Sequence, residues 1–243
     1  MTNNVVRQLG HDPGIIIVKR GFALSSSYIV FAIILSSIAI LIANIGNAFL
    51  RGVPGGSGVY AGTSISLLSV GLTALAAALL TTPVFLLYVY DKNNGVLEYF
   101  LSLGMNQGDI FKRYLKAGII LVLLLVFAVA VANIAVALIL RGDVIFPLEA
   151  SALAAALSLS VVSFSMMAMM AFSSLQKQRA GANQPLGLAL GALLVMPVYL
   201  SSFVLPFIVV VVVDLVETVV VFALSIALFL LSSTLIRREK LLP

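Results

Sequence analysis

Residues 117–140 read AGIILVLLLVFAVAVANIAVALIL and contain no charged side chain. An α-helix rises 1.5 Å per residue, so about 20 apolar residues are enough to cross roughly 30 Å of hydrocarbon. This stretch is therefore predicted to be a membrane-spanning helix. Stretches of the same kind recur on both sides of it.

The composition of the whole chain agrees with that stretch. Of 243 residues, 62% are hydrophobic and 9% are charged, and the mean hydropathy is +1.19. Soluble domains carry about 25% charged residues, so this chain has too little polar surface to cover a water-soluble globule. Disordered chains combine low hydrophobicity with high charge, which is the opposite pattern. We therefore predict an all-α integral membrane protein.

Charge-free stretches of sufficient length predict six spans. The apolar stretch after Pro185 is too long for one helix, and Pro197 and Pro206 interrupt it. We therefore end the fifth span near residue 204 and expect residues 206–213 to form a short segment in or near the outer interface. The predicted spans lie at about 28–49, 64–90, 117–140, 150–173, 185–204 and 218–236, between an N-terminal segment 1–27 and a tail 237–243.

The basic residues assign the two sides of the membrane. Of the 14 Lys and Arg residues, only Arg51 and Arg141 fall in loops on one side, and the others fall in the two termini and in the loops 91–116 and 174–184. Positive charge concentrates on the cytoplasmic side, so both termini are predicted to be cytoplasmic. The N-terminus shows no signal-peptide pattern. The expected location is the cell (plasma) membrane, with several crossings.

Several kinds of chemistry are disfavoured by what the sequence lacks. The chain has no cysteine and a single histidine, His11, so disulfides, thiolate nucleophiles and metal sites are not expected. It contains no Gly-Lys-Ser/Thr sequence, so we do not expect it to hydrolyse ATP by itself. No charged side chain falls inside a predicted span, which disfavours an ion-coupled carrier. We expect a non-enzyme whose high pI reflects topology rather than nucleic-acid binding.

The longest predicted cytoplasmic loop, 91–116, begins DKNNGVLEYFLSLGMNQGD. Asn93 or Asn94 is expected to cap a short helix, and Glu98 lies near enough to its start to gain from the helix dipole. The glycines from 104 to 108 are expected to end that helix, and Asp109 to cap the next one. The short helix has an apolar face formed by Val96, Leu97, Phe100, Leu101 and Leu103.

The run Gly95-Val96-Leu97-Glu98, followed by Leu101-Ser102-Leu103 and Asp109-Ile110, resembles the loop after the second span of ABC-2 type permeases. The stretch 173–182 is similar to the second cytoplasmic loop of that family, and six spans with cytoplasmic ends match its topology. One departure is present. Many members have a Pro and then a Ser/Thr-Arg pair after the Leu-rich turn, where this chain has Gly104-Met105-Asn106-Gln107-Gly108.

The resemblance implies the permease subunit of an ATP-binding cassette exporter. The 91–116 loop would be a coupling loop that seats in a groove of a separate ATPase subunit. ATP and Mg would bind in that ATPase, this chain would bind no cofactor, and a second permease copy would complete the substrate path as a dimer. The alternative is a helix that lies on the headgroups of the lipid bilayer. The residues that the resemblance assigns to the ATPase contact are Gly95, Val96, Leu97, Glu98, Phe100, Leu101 and Asp109.

Three further groups of residues have two interpretations each. Residues 11–27 form either an elbow helix along the membrane, from which Lys19 and Arg20 reach lipid phosphates, or a disordered tail. Gly187 and Gly191 form a dimer seam or allow close packing within the chain. A set of side chains within the spans lines a substrate path or packs between helices. This set comprises Asn44, Asn133, Ser158, Ser165 and Met169.

Two other functions are compatible with the sequence. An ion-coupled secondary transporter would need ion ligands or an inverted repeat. A non-transporting membrane scaffold or immunity-type protein would need no ATPase partner. The scarcity of charge in the spans favours apolar or amphipathic cargo, such as lipids, drugs or hydrophobic peptides.

Overall fold

The computed structural model describes residues 13–24, 26–52, 56–140, 144–175 and 207–235, and every regular element in these ranges is a helix. Four of these helices are long and apolar enough to cross a membrane. The described part of the chain is therefore an all-helical bundle with four candidate membrane spans. The helices are α1 (Pro13–Leu24), α2 (Ser27–Gly52), α3 (Gly56–Asn93), α4 (Val96–Ser102), α5 (Gln107–Ile139), α6 (Ile145–Leu175) and α7 (Phe207–Leu235).

The four candidate spans, α2, α3, α5 and α6, coincide with the first four predicted spans and extend past them. α3 contains 38 residues, a length of about 57 Å, which exceeds the roughly 30 Å of hydrocarbon. Its last turn therefore carries Asp91 and Lys92, and α5 begins well before the predicted third span. We call the end where α3 stops and α5 starts the basic end, because it carries Lys19, Arg20, Lys92, Lys112, Arg113 and Lys116.

The last third of the chain differs from the prediction. Residues 207–213 are not a separate segment, because α7 is one continuous helix that includes them together with Asp214 and Glu217. Two acidic side chains do not interrupt the backbone hydrogen bonds of a helix, so the helix continues through them into the predicted sixth span. The predicted fifth span, with Gly187 and Gly191, lies outside the described residues.

α6 is the central helix of the described bundle, and it packs against α3, α5 and α7. α2 packs along α3, and α1 lies across α3 and α5. The close packing of α3 depends on small side chains, since Ala74, Ala76 and Ala77 are fully buried. Small residues let helix backbones approach each other in a membrane, where apolar burial alone gives little drive for association.

Two apolar clusters fill the bundle. The basic-end cluster joins α1, α3, α4, α5 and α6, and the far-end cluster joins α3 and α6 only. Elsewhere α2, α5 and α7 expose large apolar side chains such as Phe31, Phe127 and Val219, as helices facing lipid do. The largest fully or almost fully buried members of the basic-end cluster are Phe85, Tyr88, Phe111 and Tyr114.

Candidate functional site

The turn between α3 and α4 is built by an asparagine and a glycine. The Asn94 Nδ2 atom donates to the Tyr90 carbonyl oxygen at 2.8 Å and so closes the end of α3. Gly95 is the N-cap of α4, has a φ of 72°, and provides no side-chain cap. A left-handed backbone of this kind favours glycine. The prediction that Asn93 or Asn94 caps the short helix is therefore wrong, because Asn94 caps the preceding helix instead.

The end of α4 is a Schellman turn. The Gly104 N–H donates to the Leu101 carbonyl at 3.0 Å, and the Met105 N–H donates to the Phe100 carbonyl at 3.2 Å. Gly104 has a φ of 82°, as this motif requires at its left-handed position. The predicted break after residue 103 is confirmed. These two hydrogen bonds fix the conformation of the chain as it leaves α4.

α4 has two apolar sides, and only one of them packs on the bundle. Leu97 is fully buried in the basic-end cluster, and Phe100 and Leu101 are half-buried against it. Tyr99 and Leu103 are 46% and 55% exposed. Of the predicted contact residues, Leu97, Phe100 and Leu101 thus hold α4 on its own chain. The outward apolar residues, Tyr99 and Leu103, were not among those implied by the resemblance.

Two of the three acidic residues of the 91–116 loop, Glu98 and Asp109, lie at helix starts. A Cβ atom placed on Gly95 would lie 3.6 Å from the Glu98 Oε2 atom, so this carboxylate lies over the first turn of α4, where the helix dipole favours it. Asp109 does not cap α5, because Asn106 occupies the N-cap position. Asp109 instead forms an exposed ion pair with Lys112 at 3.8 Å, and such pairs contribute little.

A buried carboxylate connects three helices at the basic end. Asp91, in the last turn of α3, is fully buried. The Arg20 Nη2 atom of α1 donates to its Oδ1 atom at 2.6 Å, and the Tyr114 hydroxyl of α5 donates to its Oδ2 atom at 2.5 Å. The Tyr114 ring meets the Tyr88 ring edge-on, with the centroids 5.2 Å apart. Arg20 is therefore directed at a carboxylate, and not at lipid phosphates alone as predicted.

A second contact between α1 and α3 lies about two turns of α3 before Asp91. A Cβ atom on Gly21 would lie 3.1 Å from the Pro83 carbonyl oxygen and 3.3 Å from the Val84 nitrogen. Both are backbone atoms of α3, so they cannot move away from an added methyl group as the end of a flexible side chain could. Pro83 is inside α3, and the backbone of α1 contacts α3 at this proline because position 21 has no side chain.

The predicted substrate-path residues fall into two sets. In the first set, the Asn44 Nδ2 atom donates to the Asn133 Oδ1 atom, and the Asn133 Nδ2 atom donates to the Ser151 Oγ atom, each at 3.4 Å. The Ser151 hydroxyl in turn donates to the Pro147 carbonyl at 2.7 Å. These three buried side chains connect α2, α5 and α6, and we call them the far-end amide chain.

The second set lies along α6 inside the bundle. Ser158 is fully buried, and the Ser165 hydroxyl donates to the Val162 carbonyl of its own helix at 3.2 Å. Met169 is part of the basic-end cluster. These residues are packed between helices, and their contact with a substrate stays a prediction.

An acidic side chain in α7 was missed by the sequence reasoning. Both carboxylate oxygens of Glu217 are buried, and the residue lies in the apolar segment Leu215–Leu228. Val221 and Ser225, one and two turns further along, are buried on the same face. Apolar residues continue on both sides of Asp214 and Glu217, and this pattern indicates a helix that includes both. The predicted sixth span begins at residue 218 and so excludes both acidic residues.

Within the described residues, no group of three or more His, Cys, Asp or Glu side chains could hold a metal ion. No match to the chain is found among protein-family models, curated proteins or solved structures. The geometry of the basic end, the far-end amide chain and Glu217 are therefore the observations from which a function can be inferred.

Proposed function

We propose that the chain is the permease subunit of an ABC-2 type exporter. In this proposal two copies form the substrate path, and separate ATPase subunits, which bind ATP and Mg, drive it through the 91–116 loop. The observation that carries the proposal is α4, a seven-residue helix held between two long helices at the basic end, with apolar residues directed away from the bundle.

The outward side of α4 is suited to a protein partner. Leu97 anchors the helix from below, and the Gly95 and Gly104 turns fix both of its ends. Tyr99 and Leu103 are therefore presented on a rigid support, and tyrosine is enriched in protein interfaces and among their hot spots. A simple connector between two spans would need neither the buried anchor nor the exposed pair.

The direction of α7 supports a six-span topology. Leu228, near the end of α7, packs against the basic-end cluster, as do Met166 and Met170 near the end of α6. Both helices therefore run towards the basic end. The 31 residues between the end of α6 and the start of α7 exceed the roughly 20 residues that one crossing needs. This supports the predicted fifth span at 185–204.

A dimer offers more room for a substrate path than one small bundle does. The described helices form a small bundle whose buried asparagine and serine side chains lie between packed helices. A path of useful width is more easily formed between two copies, and twofold dimers are the commonest oligomers. The proposed cargo stays apolar or amphipathic.

An ion-coupled secondary transporter is the second candidate, and Glu217 favours it. Ionisable side chains within apolar helices are rare in membrane proteins and often mark ion or proton routes. The burial of both Glu217 oxygens within an apolar segment is an observation of that kind. The two candidates differ in their energy source, which an experiment can determine.

The test of the permease proposal uses the exposed pair on α4. Tyr99→Ala and Leu103→Ala should weaken co-purification with the proposed partner ATPase, and should reduce vanadate-sensitive ATP hydrolysis in the complex. The matched controls are Tyr90→Ala and Leu124→Ala, because these side chains are 50% and 61% exposed but lie off α4. Equal effects of the α4 variants and the controls would contradict the proposal.

The substitution of a half-buried residue is a poorer test. Leu101 packs against the basic-end cluster, so Leu101→Asp would disturb the bundle as well as any partner contact. Glu98→Ala removes a carboxylate that lies over the start of α4, and it tests the stability of that helix rather than the docking surface.

A further inference from the structure

Asp91 lies one turn before the α3–α4 junction, at the point where three helices meet. Its carboxylate is fully buried and accepts hydrogen bonds from Arg20 of α1 and Tyr114 of α5. The Arg20 Nη1 atom lies 3.4 Å from the second oxygen, so the guanidinium engages both carboxylate oxygens. A two-point contact of this kind fixes orientation as well as distance.

Arg20 enters this site from outside the bundle. Its side chain is 44% exposed, whereas that of Asp91 is 1% exposed. Asp91 is thus a buried carboxylate whose cation comes from α1, and such a carboxylate without its cation is costly. The position of α1 is therefore coupled to the charge at residue 91.

The Gly21 contact adds a second point of attachment. It joins α1 to α3 at Pro83, about two helical turns before Asp91. Two attachments at different heights prevent α1 from sliding or rolling on α3 unless one of them breaks. The first depends on charge and the second on the absence of a side chain, so they can be broken independently.

We propose that Asp91 is a positioning residue that makes α1, the end of α3 and α4 move as one rigid unit. The proposal rests on the proposed function in one respect, namely that a partner pushes on α4. Such a push reaches Asp91 through the short turn at Asn94 and Gly95. From Asp91 it passes to α1 through Arg20 and to α5 through Tyr114.

The experiment measures the distance between α1 and α4. The chain has no cysteine, so Ala23→Cys on α1 and Ser102→Cys on α4, both at exposed positions, accept spin labels without further changes. Pulsed electron resonance is recorded for the full chain in lipid nanodiscs. We expect a single narrow distance, and loss of that single maximum in Asp91→Asn and in Tyr114→Phe. The control, Asp109→Asn, should keep the narrow distance.

A charge-retaining variant separates positioning from general stability. Arg20→Lys keeps the positive charge but not the two-point contact, so its distance distribution should be narrower than that of Arg20→Gln and broader than that of the wild type. The thermal unfolding midpoint is measured for each variant, and only variants that unfold cooperatively are compared. A narrow distance in Arg20→Gln and in Asp91→Asn would overturn the proposal.

A second arm uses the complex with the ATPase, in the absence of nucleotide and after trapping with ATP and vanadate. The α1–α4 distance should be the same in both states, because the unit moves as a whole. A shift of this distance in the wild-type complex would overturn the proposal. If the wild-type chain binds no ATPase, the proposed function fails, and the measurement on the chain alone still decides the role of Asp91.

Discussion

The Asp91 site at the basic end and the far-end amide chain each join three helices through polar side chains, but they use different groups. The first has a carboxylate, a guanidinium and a phenol, and the second has two amides and a hydroxyl. Charged groups are costly in hydrocarbon, and neutral groups are much less so. The ion pair accordingly lies at the basic end, near the other charged side chains, and the neutral hydrogen bonds lie at the opposite end.

The two sites also differ in how easily they can be undone. A neutral hydrogen bond between membrane helices is worth about 0.6 kcal/mol on average. The removal of one partner from a buried ion pair costs about 3–5 kcal/mol, because it leaves a buried charge. The basic end should accordingly be the stiffer junction, and the far end the one that can rearrange at small cost.

The largest effect is expected from the removal of the cation at the basic end. Arg20→Ala should lower the free energy of unfolding by about 3 kcal/mol, near the lower limit for a buried pair because Arg20 is half-exposed. Asp91→Asn should cost less, since it removes the ion pair without leaving an uncompensated buried charge. The double variant should be more stable than Arg20→Ala alone. Reversible unfolding in mixed micelles measures all three, and a double variant no better than Arg20→Ala would contradict the buried-charge explanation.

A smaller effect is expected at the uncharged contact of the same end. Gly21→Ala should destabilise by about 1–3 kcal/mol, because the added methyl group meets backbone atoms of α3. Gly108→Ala is the control, since nothing lies within 4 Å of a Cβ atom placed there. A higher helix propensity should leave that variant unchanged or slightly more stable. The same unfolding assay measures both variants. Equal effects at the two glycines would count against the close contact of Gly21 with α3.

The far-end amide chain should be weaker. Asn133→Ala removes a side chain that accepts from Asn44 and donates to Ser151, so about 1 kcal/mol is expected for two bonds of average strength. Asn44→Ala should cost less than Asn133→Ala. If Asn133→Ala proves as costly as Arg20→Ala, the distinction between the two junctions is wrong.

The smallest effect is expected at the exposed pair of Asp109 and Lys112. Asp109→Asn should change the free energy of unfolding by about 0–0.5 kcal/mol, because both side chains are solvated. The change should vanish in 1 M salt, where the Debye length is about 3 Å. A large effect that persists in high salt would show that this pair is more important than its exposure indicates.

The sequence predicts those parts of this molecule that depend on local composition. The first four spans follow from charge-free stretches, and the break after residue 103 follows from its glycines. The buried side of α4 could not be predicted, because both sides of VLEYFLS are apolar and only tertiary packing selects Leu97 over Tyr99.

Long-range polar contacts were outside the reach of a single sequence. Arg20 and Asp91 are 71 positions apart, and no local pattern at either residue marks an ion pair. Because the predicted spans are charge-free stretches, the second span ends before Asp91 and the sixth begins after Glu217. In both cases the helix continues through the charge because the backbone hydrogen bonds are unaffected by it.

We propose that a partner ATPase, and not an ion gradient, drives this chain. The most direct measurement is made in liposomes that contain a pH-sensitive dye, first with the chain alone and then with its ATPase. We predict no proton movement by the chain alone under a pH gradient, and ATP hydrolysis that the chain stimulates and vanadate stops once the ATPase is added. Proton movement by the chain alone that Glu217→Gln abolishes would contradict the claim and would favour a secondary transporter.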